Sequence, residues 1–169
     1  MADSPTSPRE LLALRLRQML WVELKLAEEV LPELLEQAHS TDLRYGFERH
    51  RRETELHART LREILRELEV PPEPEESPAL NGLVQEHEQL LARVSGQVLE
   101  DLAHAQSAVA TEHLELAAYE SLCTLAEALG EEEIAIRLRE VMEQEELALE
   151  LVEHGQTKLL AEKVESERL

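Results

Sequence analysis

The chain has 169 residues with 37 acidic against 17 basic side chains, and its formal charge of −20 excludes the basic patches that nucleic acid or an anionic membrane would demand. Apolar residues make up 43%, yet only Trp21, Tyr45, Phe47 and Tyr119 are aromatic, so the core is expected from Leu, Ala, Val and Ile. The single Cys123 excludes an internal disulfide, and no run approaches the ~18 apolar residues of a membrane span. The opening MADSPTSPRE has no basic-then-apolar signal pattern, and with the lone cysteine it points to a reducing cytoplasm. Cys123, in the run SLCTLAEAL, reads as a small core residue. The acidic excess reads either as solvated helix faces or as a surface that attracts cations.

Leu, Glu, Ala and Arg dominate, a composition that favours helix, and no segment alternates in the manner of a strand. Ser7-Pro8-Arg9-Glu10 is a capping box with proline at the first helical position, so the first helix is expected from about residue 8. Apolar residues recur at helical period through position 34, with Pro32 inside the pattern as a kink or distortion. AHSTD ends it near 40, and a second helix is expected over 42–69. EVPPEPEESP is a proline-rich breaker, followed by a short helix in SPALNGLVQEHEQLLARV. A third long helix spans 97–129, Gly130 suits its C-terminal end, and Glu131, Glu132 and Glu133 favour the first turn of a fourth reaching about 155.

This order implies an all-α fold. Two antiparallel hairpins are joined by a long crossover containing a short helix, which is the ferritin-like four-helix arrangement. The expected organisation is a disordered N-terminus over 1–7, the bundle over 8–155 and a C-terminal tail over 156–169.

Each long helix places a carboxylate on its inward stripe. Glu23 stands where a leucine is expected; His50, Glu53 and His57 share the face of Phe47, Leu61 and Ile64. Glu112, Glu115 and Tyr119 share that of Ala105, Ala108, Leu122 and Ala126, and Glu145 interrupts Leu138, Val141, Leu149 and Val152. Glutamate is common here, and any one of these could sit at a stripe edge. Their heights match, however. Glu23 and Glu53 lie about 17 and 13 residues from the turn near 40, and Glu112 and Glu145 about 18 and 15 from Gly130, or roughly 20–27 Å at helical rise. Carboxylates meeting in an apolar core repel and must be protonated, paired with bases or bound to cations. The stripes offer histidine but no Lys or Arg, and imidazole with carboxylate suits iron, manganese or zinc. A dinuclear metal centre resolves the repulsion.

Four blocks then resemble, in order over residues 12–155, the YciF-type ferritin-like proteins of bacteria. They are WVELKLAEEVLPELLEQA, FERHRRETELHARTLREIL, ALNGLVQEHEQLL and TEHLELAAYESLCTLAEALGEEEIAIRL. The resemblance implies metal-site roles for Glu23, His50, Glu53, Glu112, Glu115 and Glu145, with His57, His113 and Tyr119 as outer-shell groups or alternative ligands. Two departures stand out. The interval from Glu23 to Pro32 is one residue longer than the family's, to be absorbed as a π-bulge or else turning Glu23 off axis. Leu149 stands where the family has an acid, which would thin the ligand set.

His50 and His57 are either ligands or surface histidines among Arg49, Arg51 and Arg52; Tyr119 is either a core aromatic or a hydrogen-bond donor to the site. His39 and His154 read as helix-end residues, and His87 and His104 lack an inward carboxylate. Two functions follow. The first is a dimetal carboxylate protein, iron before manganese or zinc, with oxidase- or peroxidase-like chemistry on dioxygen or peroxide, or iron handling in stress. The second is a metal-free structural bundle. A homodimer is expected in either case.

Overall fold

The computed structural model describes residues 4–168, so positions 1–3 of the expected disordered N-terminus lie outside the described residues, as does 169. The described residues form six α-helices and one π-helical turn, with no strand. Helix α1 runs Pro8–Lys25, a π turn Leu26–Val30, α2 Leu31–Gln37, α3 Thr41–Glu67, α4 Pro78–Leu91, α5 Gln97–Ala128 and α6 Glu132–Ser166. The fourth long helix thus continues well past 155, through most of the segment expected as a tail. Among the described residues no helix is long and apolar enough to cross a membrane.

The ends of the helices are set locally. Ser7 Oγ accepts from Glu10 N, and Glu10 reaches back to Ser7 N at 3.2 Å, closing the capping box. At the end of α5, Gly130 takes a positive φ of 76°. Its N–H donates to Glu127 O at 3.0 Å and Glu131 N–H to Ala126 O at 2.9 Å, the paired bonds of a Schellman motif. The start of α3 is held from afar. Both oxygens of buried Asp101 on α5 accept backbone N–H groups, from His39 and from Ser40, each at 2.8 Å.

The expected single first helix is divided by the π turn. Leu31 N–H donates to Leu26 O, five residues back, immediately before Pro32, which has no N–H to give. One inserted residue rotates a regular helix by about 100°. Absorbing it in the wide turn leaves Leu16, Leu20 and Glu23 upstream and Leu31 and Leu34 downstream all facing the core.

Helix α1 packs on α3 and α5, α3 on α6, and α5 on α6, so the four long segments enclose one core. Crossover helix α4 lies against α5. Leu12, Leu16, Leu20, Leu61, Ile64, Leu80, Leu122 and Leu138 fill that core, and Cys123 is buried in it. At about 25 cal/mol per Å² of apolar surface, each such leucine contributes about 2 kcal/mol.

Candidate metal centre

At mid-height the leucine layers give way to ionisable groups. Glu23, Glu115 and Glu145 are 0% exposed, Glu112 4%, His50 7% and His57 2%. They come from four segments: Glu23 from α1, both histidines from α3, Glu112 and Glu115 from α5, and Glu145 from α6.

They fall into two groups that share Glu145. His50, Glu112, Glu115 and Glu145 offer donor atoms all within 4.8 Å of one another, and so do Glu23, His57 and Glu145. In the first group His50 Nε2 lies 3.2 Å from Glu112 Oε1, and its Nδ1 lies 3.8 Å from Glu145 Oε2. In the second, His57 Nδ1 lies 2.8 Å from Glu145 Oε1 and 3.7 Å from Glu23 Oε2. The remaining nitrogen, His57 Nε2, is 2.9 Å from Gln144 Oε1. With that amide oxygen as acceptor, the proton of a neutral ring sits on Nε2 and Nδ1 keeps its lone pair for the centre. Tyr119 Oη donates to Glu23 Oε1, fixing that carboxylate from the side.

Burial raises Glu23, Glu112 and Glu115 above the ordinary carboxylate range, Glu112 to about 8. Burial opposes charge on the histidines too, but the surrounding carboxylates outweigh it. Glu112, Glu53 and Glu145 bring His50 up to about 9, and Glu145 and Glu23 bring His57 up to about 11. Buried Tyr119 is held well above its usual value, first by desolvation and then by Glu23. Without a cation the cluster holds on to protons; a divalent pair would replace them.

The donor set fits such a pair. Eleven buried side-chain atoms among the described residues lack a hydrogen-bond partner, and nine belong to this cluster and its neighbour Glu53, including both oxygens of Glu115 and both of Glu145. Leaving a buried polar atom unsatisfied costs about 1–3 kcal/mol, so a concentration at one spot points to a missing partner. Four glutamates and two histidines are also the donors of di-iron carboxylate bundles, redistributed here. Both histidines stand on α3, seven residues apart, instead of following a glutamate at i+3 on two helices.

The expected site residues are placed unequally. Glu23, His50, Glu112, Glu115 and Glu145 meet at the centre. Glu53 lies at its rim and outside both groups, with its carboxylate 3.3 Å from Arg49 Nε and 3.9 Å from His50 Nδ1. Contact with His50 holds the Glu53 carboxyl below the usual carboxylate pKa range. His57, expected as an outer-shell group or alternative ligand, stands in the second group. His113 is exposed on the far side of α5, and Leu149 is half-buried. Of the other histidines, His39 pairs with Glu100 at 2.9 Å, and buried His104 meets His87 at 3.2 Å, away from the centre. His154 lies within α6 because that helix runs on to Ser166. Gln144 and Asp101 carried no signal in a single sequence, since their partners lie on other helices.

Solved structures resemble this chain over nearly its whole length. YcfI from Rhodopseudomonas palustris, put forward as a structural protein, is 27% identical, with 90% of this chain and 97% of that one covered and a TM-score of 0.86. The E. coli stress protein YciF is 22% identical, with 93% and 99% covered and a TM-score of 0.87, a likeness of fold. Protein XCC3681 from Xanthomonas campestris pv. campestris is 27% identical, with 96% and 100% covered and a TM-score of 0.74. None of the curated proteins matches the sequence. The family described as Domain of unknown function (DUF892) matches residues 7–165, and with its YciF-like neighbours this chain belongs to that family.

Proposed function

We propose that this chain is a ferritin-like dinuclear metal protein, its four long helical segments forming two hairpins around a centre in which Glu145 would serve both ions. The observation that carries the reading is the sharing of Glu145 between two buried donor groups, each of whose residues has at least one polar atom without a hydrogen-bond partner. His50, Glu112 and Glu115 would hold one ion, and Glu23 and His57 the other. Iron is the first choice for a mixed carboxylate and imidazole set, with manganese or zinc as alternatives.

The chemistry supplied on metal binding is redox chemistry toward a small oxidant, dioxygen or peroxide, for iron or manganese, and Lewis-acid chemistry for zinc. The chain's own residues prepare the place. Tyr119 orients Glu23, and Gln144 orients His57 and sets its tautomer. The leucine layers above and below surround the centre with apolar packing, which strengthens the charge interactions there. Such a centre suits oxidant or iron handling under stress, in a reducing cytoplasm compatible with one buried thiol.

The second reading is a metal-free structural bundle that works through contact with a partner, for which exposed apolar side chains are available. Tyr45, Leu56, Ile136, Leu147 and Leu151 are each about half exposed or more, a surface suited to a homodimer. Elemental analysis of protein from iron-supplemented cells separates the two. About two equivalents of transition metal per chain support the first, and fewer than about half an equivalent supports the second.

A further inference from the structure

A cavity of about 300 Å³ opens beside the centre, between the π turn, α2, α3, α5 and α6. Its walls are mostly apolar, made chiefly by Leu26, Val30, Leu31, Leu34, Phe47 and Leu151. Its inner end is polar. Buried His50 and Glu112 line it there, and His50 Nδ1 and Glu112 Oε2 have no hydrogen-bond partner.

Two helix glycines border this space. Gly46 in α3 and Gly155 in α6 both line the cavity from helix interiors, where glycine costs about 1 kcal/mol relative to alanine. Neither has a positive φ, unlike Gly96 and Gly130, so backbone conformation does not require them. A Cβ built on Gly46 meets nothing within 4 Å, so close packing does not require glycine there either. At both positions the volume that a side chain would take is left to the cavity.

We propose that the cavity binds a small uncharged apolar molecule of about ten to twelve non-hydrogen atoms, since an apolar cavity of about 150 Å³ already holds benzene. Its role as the substrate pocket of the metal centre rests on the metal reading above; the binding itself does not. The two strongly basic side chains at the mouth already face carboxylates. Lys158 is paired with Asp42 at 2.6 Å, and Arg49 lies 3.3 Å from Glu53. A binding site that reaches His50 and Glu112 would hold an organic molecule against the first donor group.

The test is naphthalene binding to the full chain, metal-free and manganese-loaded, followed by ligand-observed NMR and thermal shift, with decanoate as the charged comparison. Gly46→Leu fills the cavity while improving helix propensity, so folding is not at risk; Ala148→Leu fills it from α6. Naphthalene should bind the parent chain and outcompete decanoate, and each variant should weaken it by about tenfold with manganese content unchanged. No binding to the parent chain, equal binding by Gly46→Leu, or tighter decanoate binding overturns the inference. Naphthalene binding without metal uptake leaves the cavity standing and removes the metal reading. Metal uptake without naphthalene binding does the reverse.

Discussion

His57 Nδ1 lies 2.8 Å from Glu145 Oε1, and the other oxygen of the same carboxylate faces His50 on the same helix. One glutamate on α6 therefore meets both histidines of α3, and through them both donor groups. The centre is organised around this residue, and its removal should not resemble the removal of any other.

Glu145→Ala should reduce metal content from about two equivalents to near zero, because both groups lose a donor at once. Glu23→Gln touches the second group alone and should leave about one equivalent. Elemental analysis of both variants, loaded alongside the parent chain, checks the difference; equal losses would remove Glu145 from its shared position.

The metal-free protein should lose stability as pH rises. Glu112 moves from 4.5 in the unfolded chain to about 8, His50 from 6.5 to about 9 and His57 from 6.5 to about 11. In each case the folded state binds more protons than the unfolded one between the two values, so stability declines with pH across that window. Thermal melts of the apo-protein from pH 6 to 9 should show a falling Tm. Saturating manganese should flatten or reverse the trend, because metal binding favours deprotonated ligands.

Glu115→Leu should stabilise the apo-protein while weakening metal binding. Both Glu115 oxygens are buried without a partner, and burial holds its carboxyl well above the ordinary range. Replacing a buried, poorly compensated ionisable group by an apolar one of similar size gains about 1–3 kcal/mol. Urea unfolding of metal-free protein measures the gain, and a loss of stability would assign Glu115 a packing role instead.

Asp101→Ala should destabilise the fold by about 2–3 kcal/mol, since two charge-assisted hydrogen bonds to His39 and Ser40 disappear and leave buried donors. Metal content should be unaffected once the protein is folded, which separates this clamp from the centre. Hydrogen exchange at the start of α3 should rise first.

The elements were legible because their signals are local. Ser7, Pro8 and Glu10 start α1, the Schellman pair at Gly130 ends α5, and proline-rich 71–78 breaks the chain between α3 and α4. The π turn was foreshadowed only by the resemblance, in which the interval from Glu23 to Pro32 is one residue longer than the family's, and it is realised as one of the two outcomes expected there.

Part of the centre was within reach as well. The buried stripe of α3 runs 43, 47, 50, 54, 57, 61 and 64, so His57 lies about 20° around the helix from His50 and Glu53 about 60°. That angle sets His57 nearer the inward axis than Glu53, which falls at the rim. Nothing local could show that Glu145 stands between two groups, that Gln144 turns His57, or that Gly46 and Gly155 leave room for a ligand. Amino-acid order by itself determined the long helical segments, most of their ends and the inward carboxylates of α1, α5 and α6, because hydrogen bonds within a few residues and helical periodicity decide those. Which side chains share an oxygen, and what space lies beside them, was decided only by the rotation and height at which the helices pack, a property of the assembled core.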